Sequence, residues 1–280
     1  MLTRFAPSPT GYLHLGHVVN AIYVWGLARA RGGRVLLRIE DHDRVRSRRD
    51  YESAILDELD WLGFEADAGR TPLRRQSDDS RPYEDALTHL RRSHHVYACD
   101  CSRRAIGGER YPGTCRNRRL DERPGRGLRV EIEPGSESFV DGLRGSQVQS
   151  PADEFGDLLV RDRDGHWTYQ FAVTVDDTRQ EITDVIRGTD LLSSTGRQIR
   201  LARMLGRAEA PVFTHHPLLL LNDSGEKLSK SNRDTGVREL RAAGAAPHDV
   251  IGRAAAAAGL LDTARSVAAR EVGTLFDPEA

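Results

Sequence analysis

The chain has 280 residues, 38% hydrophobic and 30% charged, a length that can bury a substantial core in one or two closely joined domains. Its 41 basic and 42 acidic residues leave a formal charge of −1, which excludes a global positive field for nucleic acid and confines any RNA contact to local patches. No apolar run reaches the roughly 18 residues of a membrane span, and residues 1–4 lack the basic start and apolar stretch of a signal peptide, so a cytoplasmic protein with no membrane partner is expected.

Residues 2–6 read as a short strand, and Pro7-Ser8-Pro9-Thr10-Gly11 then forces a loop. Val18, Ala21, Ile22, Trp25 and Ala28 recur at helical spacing, which predicts a helix over 15–30 stopped by Gly32-Gly33. The apolar run 34–39 reads as a second strand, and Tyr51, Ile55, Leu59 and Leu62 mark a second, amphipathic helix. Strand, helix, strand, helix predicts a parallel sheet with the loop 7–17 at the carboxyl edge of its first strand, where open α/β sheets bind ligands.

Ser80 is placed to cap a helix running to residue 93. The cysteine segment and an Arg, Gly and Pro-rich stretch to about 145 then read as an insertion. Alternation at 157–161 before Asp162-Arg163-Asp164-Gly165 predicts that the sheet resumes there. A strand at 182–186 and a helix at 193–205 follow, and the apolar run 217–221 enters the turn Asn222-Asp223-Ser224-Gly225. Beyond Gly236 the chain is Ala-rich and helical. The expected organisation is a catalytic domain split into 1–96 and 151–235 around an insertion at 97–150, with a helical region at 236–280.

Three clusters carry chemistry. Only two basic residues are lysines, Lys227 and Lys230, three apart in Gly-Glu-Lys-Leu-Ser-Lys-Ser. A flexible point charge suits a phosphate that moves during reaction, whereas the Arg fork suits static pairing; codon bias is the alternative. His14-Leu15-Gly16-His17 places two imidazoles at a helix start, where anions collect, and an ordinary surface pair is the alternative. Cys99, Cys101 and Cys115 fall in one short segment, and an odd number in a reducing compartment points away from a disulfide framework. They suggest tetrahedral zinc with His94 or His95 as the usual fourth ligand, or three unmetallated thiols.

The block Arg4-Phe5-Ala6-Pro7-Ser8-Pro9-Thr10-Gly11, the His-Leu-Gly-His run and Lys227-Leu228-Ser229-Lys230-Ser231 together resemble the signatures of class I aminoacyl-tRNA synthetases, specifically the glutamyl branch. Arg38-Ile39-Glu40-Asp41-His42-Asp43, Tyr169-Gln170-Phe171-Ala172-Val173 and Arg187-Gly188-Thr189-Asp190-Leu191-Leu192 extend the resemblance over most of residues 2–235. It implies an α/β, Rossmann-like (HUP-type) parallel-sheet catalytic domain in which L-glutamate attacks ATP to give glutamyl adenylate and pyrophosphate. His14, Gly16, His17 and Lys230 would bind ATP, accompanied by Mg2+, and His14, His17, Lys227 and Lys230 would stabilise the charge of the reaction. A glutamate pocket is implied at Arg4, Phe5, Ala6, Pro7, Ser8, Glu40, Tyr169 and Arg187, with Arg4 and Arg187 on carboxylate and Glu40 facing the ammonium. Leu15 and Leu228 depart from the signatures as apolar swaps expected to change packing rather than phosphate contacts.

The Cys-x-Cys…Tyr-x-x-x-Cys pattern resembles the zinc site of the small glutamyl-queuosine tRNA(Asp) synthetases, which implies one structural Zn2+ on Cys99, Cys101, Tyr111 and Cys115. Only about fifty residues follow Lys230, so no anticodon-binding domain is expected. The implied acceptor is tRNA(Asp) carrying queuosine, contacted by a monomer through arginines at 44–49 and 116–129, although solvated arginines are the more usual explanation. A short glutamyl-tRNA synthetase charging tRNA(Glu) and a catalytically silent RNA-binding paralogue are the alternatives.

Overall fold

The structure, a computed structural model, describes residues 1–221, 226–227 and 236–276, with backbone alone at 220, 221, 226 and 227. Strand β1 (Leu2–Phe5) leads through the proline loop into helix α1 (Leu15–Ala30), and β2 (Arg34–Leu37) returns parallel to β1 with Leu2 opposite Arg34. Helix α1 is buried almost all round, from Leu15 to Ala28, because it is covered on both sides. One side meets the sheet; the other meets the C-terminal region, whose Val250, Ile251, Ala254, Ala255, Val267 and Val272 join the α1 core. Gly26 makes this approach possible, since a Cβ there would stand 2.1 Å from the Phe276 ring.

Helix α2 (Arg49–Leu62) buries Ile55, Leu59 and Leu62 on the same core and ends at Gly63 with φ 83°, a left-handed cap that glycine adopts without strain. In α3 (Arg81–Ser93) Ser80 stands at the N-cap, but its hydroxyl donates to Glu84 Oε1 and gives no cap hydrogen bond to the backbone. Strand β3 (Val96–Cys99), the short α4 (Arg103–Ile106) and β4 (Gly127–Val130) follow, then the hairpin β5 (Glu137–Asp141) and β6 (Gly145–Gln149), the short α5 (Pro151–Glu154) and β7 (Leu158–Arg161).

One expectation is corrected here. The strand at 157–161 does not resume the parallel sheet; β7 pairs antiparallel with β4 in a separate three-stranded sheet ordered β3-β4-β7. Its inward residues Leu158 and Val160 belong to a second core with Leu128, Val130 and Phe171, and alternation alone does not say which sheet a strand joins.

Helix α6 (Tyr169–Arg179), absent from the sequence reading, precedes β8 (Asp184–Gly188), a 3-10 segment at Thr189–Ser194, α7 (Thr195–Met204) and β9 (Val212–His216), a strand that the reading also missed. β8 and β9 are parallel, β9 pairs parallel with β5, and the sheet order is β6-β5-β9-β8. β1 abuts β8, where Thr183 N donates to Leu2 O at 2.9 Å. The parallel strands β2, β1, β8, β9 and β5 therefore form the α/β centre. β10 (Leu220–Leu221) pairs antiparallel with β11 (Glu226–Lys227), and α8 (Val237–Ala242) and α9 (Pro247–Ala257) complete the helices. No helix among the described residues is long and apolar enough to cross a membrane.

Candidate active site

Charged side chains at or just past the carboxyl ends of β1, β2 and β8 come together beside helix α6. His14 is the N-cap of α1 and uses Nδ1 to accept from Gly16 N at 3.1 Å. His17 Nδ1 accepts from His14 N at 3.1 Å, so two imidazoles perform the reciprocal capping usually done by Ser or Thr with Glu or Gln. With both Nδ1 atoms accepting, the neutral rings carry their protons on Nε2. Gly16 is required by the first ring, because a Cβ there would meet His14 Cε1 at 2.9 Å. Leu15, the departure from the signature, is buried.

The lysine segment is only partly described. Lys227 pairs through its backbone with Leu220 in β11, and Lys230 and Leu228 lie outside the described residues. The chain resumes at Gly236, which bridges to His14, while Val237 N donates to Leu13 O at 3.0 Å. Gly236 and Val237 are thus held against the start of α1.

Behind the cap, Arg4 in β1, Arg38 after β2 and Arg187 in β8 are each at most 4% exposed. Buried cations need partners, and α6 supplies them. Arg4 Nε donates to both Asp177 oxygens at 3.1 and 3.2 Å; Arg38 Nη2 reaches Asp177 at 2.9 Å and Glu40 at 2.7 Å. Arg38 Nε lies 3.8 Å from Asp176, which also accepts from Tyr83 and Gln76. Burial opposes the Arg38 charge, but Asp177, Glu40 and Asp176 outweigh it and raise its pKa. Tyr169, the first residue of α6, has its phenol raised by burial and then by Glu40, with Arg187 and Arg4 acting against them. These charges therefore face one phenol. Glu40 N donates to Pro7 O at 3.0 Å, tying it to the loop of Ala6, Pro7 and Ser8 that follows Phe5, the last residue of β1. The residues legible by motif, Arg4, Glu40, Tyr169 and Arg187, are brought together; Lys230 cannot be placed. Asp176 and Asp177 were missed, although two adjacent acids inside an apolar helix are a signal of buried pairing.

Arg187 has a second set of partners that the sequence reading did not find. Its Nε donates to His215 Nε2 at 2.9 Å, Nη1 to Gln198 Oε1 at 2.7 Å and Nη2 to Thr195 Oγ1 at 2.8 Å. His215 Nδ1 in turn meets Asp141, and both side chains are fully buried. Burial, and then the charge of Arg187, push the His215 pKa down to about 4. The unfolded chain, with an imidazole near the ordinary value of about 6.5, takes up this proton first, so stability is lost as pH falls from about 6.5 to about 4. The expected loss has an upper limit of roughly 3 kcal/mol. Urea unfolding at several pH values across that window should show a shallower dependence in His215→Gln; equal slopes for the two proteins would refute the assignment.

At the end of β3 and in the segment before β4, Cys99, Cys101 and Cys115 place their sulfurs within 4.8 Å of one another. The Cys101 and Cys115 sulfurs are 3.6 Å apart, and Tyr111 Oη is 3.5 Å from Cys99 Sγ. Tetrahedral zinc with bonds of about 2.3 Å to sulfur and 2.0 Å to oxygen has edges of about 3.8 and 3.5 Å, so this donor set can hold the ion. Neither His94 nor His95 joins the cluster; His95 instead faces Glu131 at 3.1 Å. Tyr111 is buried, bridged to Gly156 and hydrogen-bonded by Cys115 N at 2.8 Å. Arg129 packs its guanidinium 3.7 Å over the Tyr111 ring and donates to Cys99 Sγ at 3.4 Å. Burial works to raise the Cys99 thiol, but hydrogen bonds with Tyr111 and Arg129 outweigh it and hold it below the ordinary value. Arginines of the 116–129 stretch serve their own chain: Arg116 pairs with Asp157, Arg118 with Asp100 and Arg126 with Asp121.

Known proteins resemble the chain over most of its length. The sequence profile of tRNA synthetases class I (E and Q), catalytic domain, matches residues 1–253. The chain is 40% identical to the glutamyl-Q tRNA(Asp) synthetase of Symbiobacterium thermophilum over 98% of its own length and 91% of the relative's. It is 42% identical to the protein of that name from Cupriavidus metallidurans, over 95% and 87%. Among solved structures it resembles a glutamate tRNA ligase from Elizabethkingia meningosepticum in complex with its amino acid, at TM-score 0.83 and 26% identity. That match covers 99% of this chain but 64% of the ligase.

Proposed function

The chain belongs to the glutamyl-Q tRNA(Asp) synthetase family of class I ligases, and from that premise we propose that it activates L-glutamate with ATP in the absence of tRNA and transfers it to queuosine at the wobble position of tRNA(Asp). The observation that carries the reading is that two buried guanidiniums, Arg4 and Arg187, and one buried carboxylate, Glu40, lie close enough to act on the Tyr169 phenol. A zwitterionic amino acid with two carboxylates needs this set of charges. Oriented by Arg4 and Arg187, the α-carboxylate oxygen attacks the ATP α-phosphorus; the bond to the β-phosphate oxygen breaks and pyrophosphate leaves. Glu40 holds the ammonium away from the reacting phosphate. His14 and His17, protonated on Nε2, donate to phosphate oxygens, and Lys230 follows the departing charge. Mg2+ enters with ATP and neutralises phosphate charge. Attack of the queuosine acceptor on the adenylate carbonyl then releases AMP.

Zinc belongs to the structure of the inserted region in this reading, held by Cys99, Cys101, Tyr111 and Cys115, where it would cross-link β3 to the loop before β4. The decisive assay is glutamate-dependent exchange of label between pyrophosphate and ATP without tRNA, followed by transfer to purified tRNAs. Exchange, and labelling of queuosine-containing tRNA(Asp) but not tRNA(Glu), are expected. Charging of tRNA(Glu) would instead identify a short glutamyl-tRNA synthetase, and absence of exchange a silent paralogue.

A further inference from the structure

Arg187, His215 and Asp141 lie on one face of three parallel strands. Arg187 of β8 and His215 of β9 are direct ladder partners, and Asp141 of β5 is registered with Phe213, two residues before His215 and hence on the same face. Asp141 is saturated as an acceptor: besides His215 Nδ1 it takes Leu143 N and Arg144 N at 3.0 Å and His215 N at 3.2 Å. An ionised carboxylate so held keeps the imidazole proton on Nδ1. Nε2 is then a lone pair, and it receives Arg187 Nε at 2.9 Å. Gln198, itself anchored on Gln170 at 2.6 Å, holds Nη1 of the same guanidinium.

We propose that Asp141 and His215 are positioning residues for glutamate recognition: the carboxylate sets the imidazole tautomer, and the neutral imidazole fixes the plane and rotation of the Arg187 guanidinium in the glutamate pocket. This rests on the reading of Arg187 as a carboxylate binder. The relay does not touch the reacting atoms. An Arg side chain has four rotatable torsions, and a bidentate or even a single well-aligned hydrogen bond to a carboxylate requires the fork to be held before substrate arrives. The histidine must be neutral and of one tautomer, because an Nε2–H would place two donors face to face in a buried site. Asp141→Asn imposes that fault by offering an amide N–H to Nδ1.

The test is the exchange assay on His215→Phe, Asp141→Asn and His215→Gln, with KM and kcat resolved for each substrate. His215→Phe and Asp141→Asn should raise the KM for glutamate about tenfold to a hundredfold, with kcat and the KM for ATP within about threefold of the parent. His215→Gln, whose amide oxygen reaches the Nε2 position, should stay within about fivefold of the parent. Nitrogen-15 NMR of the His215 ring should show the Nδ1–H tautomer in the parent protein and its loss in Asp141→Asn, a readout that needs no activity and survives if one variant fails to fold. Unchanged glutamate KM in folded His215→Phe, or an Nε2–H tautomer in the parent protein, would overturn the proposal. Absence of glutamate-dependent exchange in the parent would sink the functional reading instead, leaving the tautomer result to judge the relay.

Discussion

Arg187→Ala is expected to lower kcat/KM for glutamate-dependent exchange by about a hundredfold to a thousandfold, which corresponds to about 3–4 kcal/mol for a buried, charge-assisted contact. The size follows from the burial of the guanidinium, which at 4% exposure is shielded from competing water. Truncation also strands His215, Gln198 and Thr195, so part of the loss will be structural. Arg187→Lys separates the two effects. It keeps the charge, but one ammonium cannot serve His215 and Gln198 from opposite edges as the fork does, so a loss of at least about tenfold with little change in melting temperature is expected. Glu40→Ala should be similarly severe, and it will also release Arg38, whose Nη2 is 2.7 Å from Glu40. Near-parental exchange by both Arg187→Ala and Glu40→Ala would remove the pocket assignment.

The second large effect is expected at the cysteine cluster. Protein purified without chelator should contain about one zinc per chain by elemental analysis, and stripping the ion or introducing Cys115→Ser should lower the melting temperature by roughly 6 °C, the equivalent of about 3–4 kcal/mol for a chain of this size. Cys99 and Cys115 lie in a small buried cluster with Tyr97 and Tyr111, which has few other apolar contacts to hold it. Tyr111→Phe is the informative variant, since it keeps the ring under Arg129 and deletes only the oxygen. A fall in zinc affinity of about tenfold or more, with the apo protein little changed in stability, is expected if the phenol is a ligand. Zinc-free native protein would sink the site; full zinc affinity in Tyr111→Phe would sink the phenol's part in it.

The early α/β pattern was legible because it is local. Apolar spacing placed α1 at Leu15–Ala30, and the glycines and prolines around it marked its ends. Where two readings shared the same local pattern, they could not be separated. The alternation of Leu158–Arg161 suits either sheet, and long-range pairing with β4 chose the antiparallel one. Strand β9, Val-Phe-Thr-His-His, carries two histidines where an apolar strand is expected, so it was passed over. Those polar residues are tolerated in the interior because Asp141 and Arg187 satisfy His215 from the neighbouring strands.

By itself the sequence determined which residue types stand where along the chain: the histidine pair, the lysine pair, the motifs of Arg4, Glu40, Tyr169 and Arg187, and three thiols with a tyrosine at one spacing. The tertiary structure decided what each of those residues faces. Arg4, Arg38 and Arg187 read as three arginines among many until Asp176 and Asp177, more than a hundred positions from Arg4 and Arg38, neutralise two of them and His215 orients the third. The reason is the range of the forces involved. Helical and strand periodicity are properties of neighbours along the chain, whereas the desolvation that makes a buried charge costly, and the partner that offsets it, depend on which distant segments close over it.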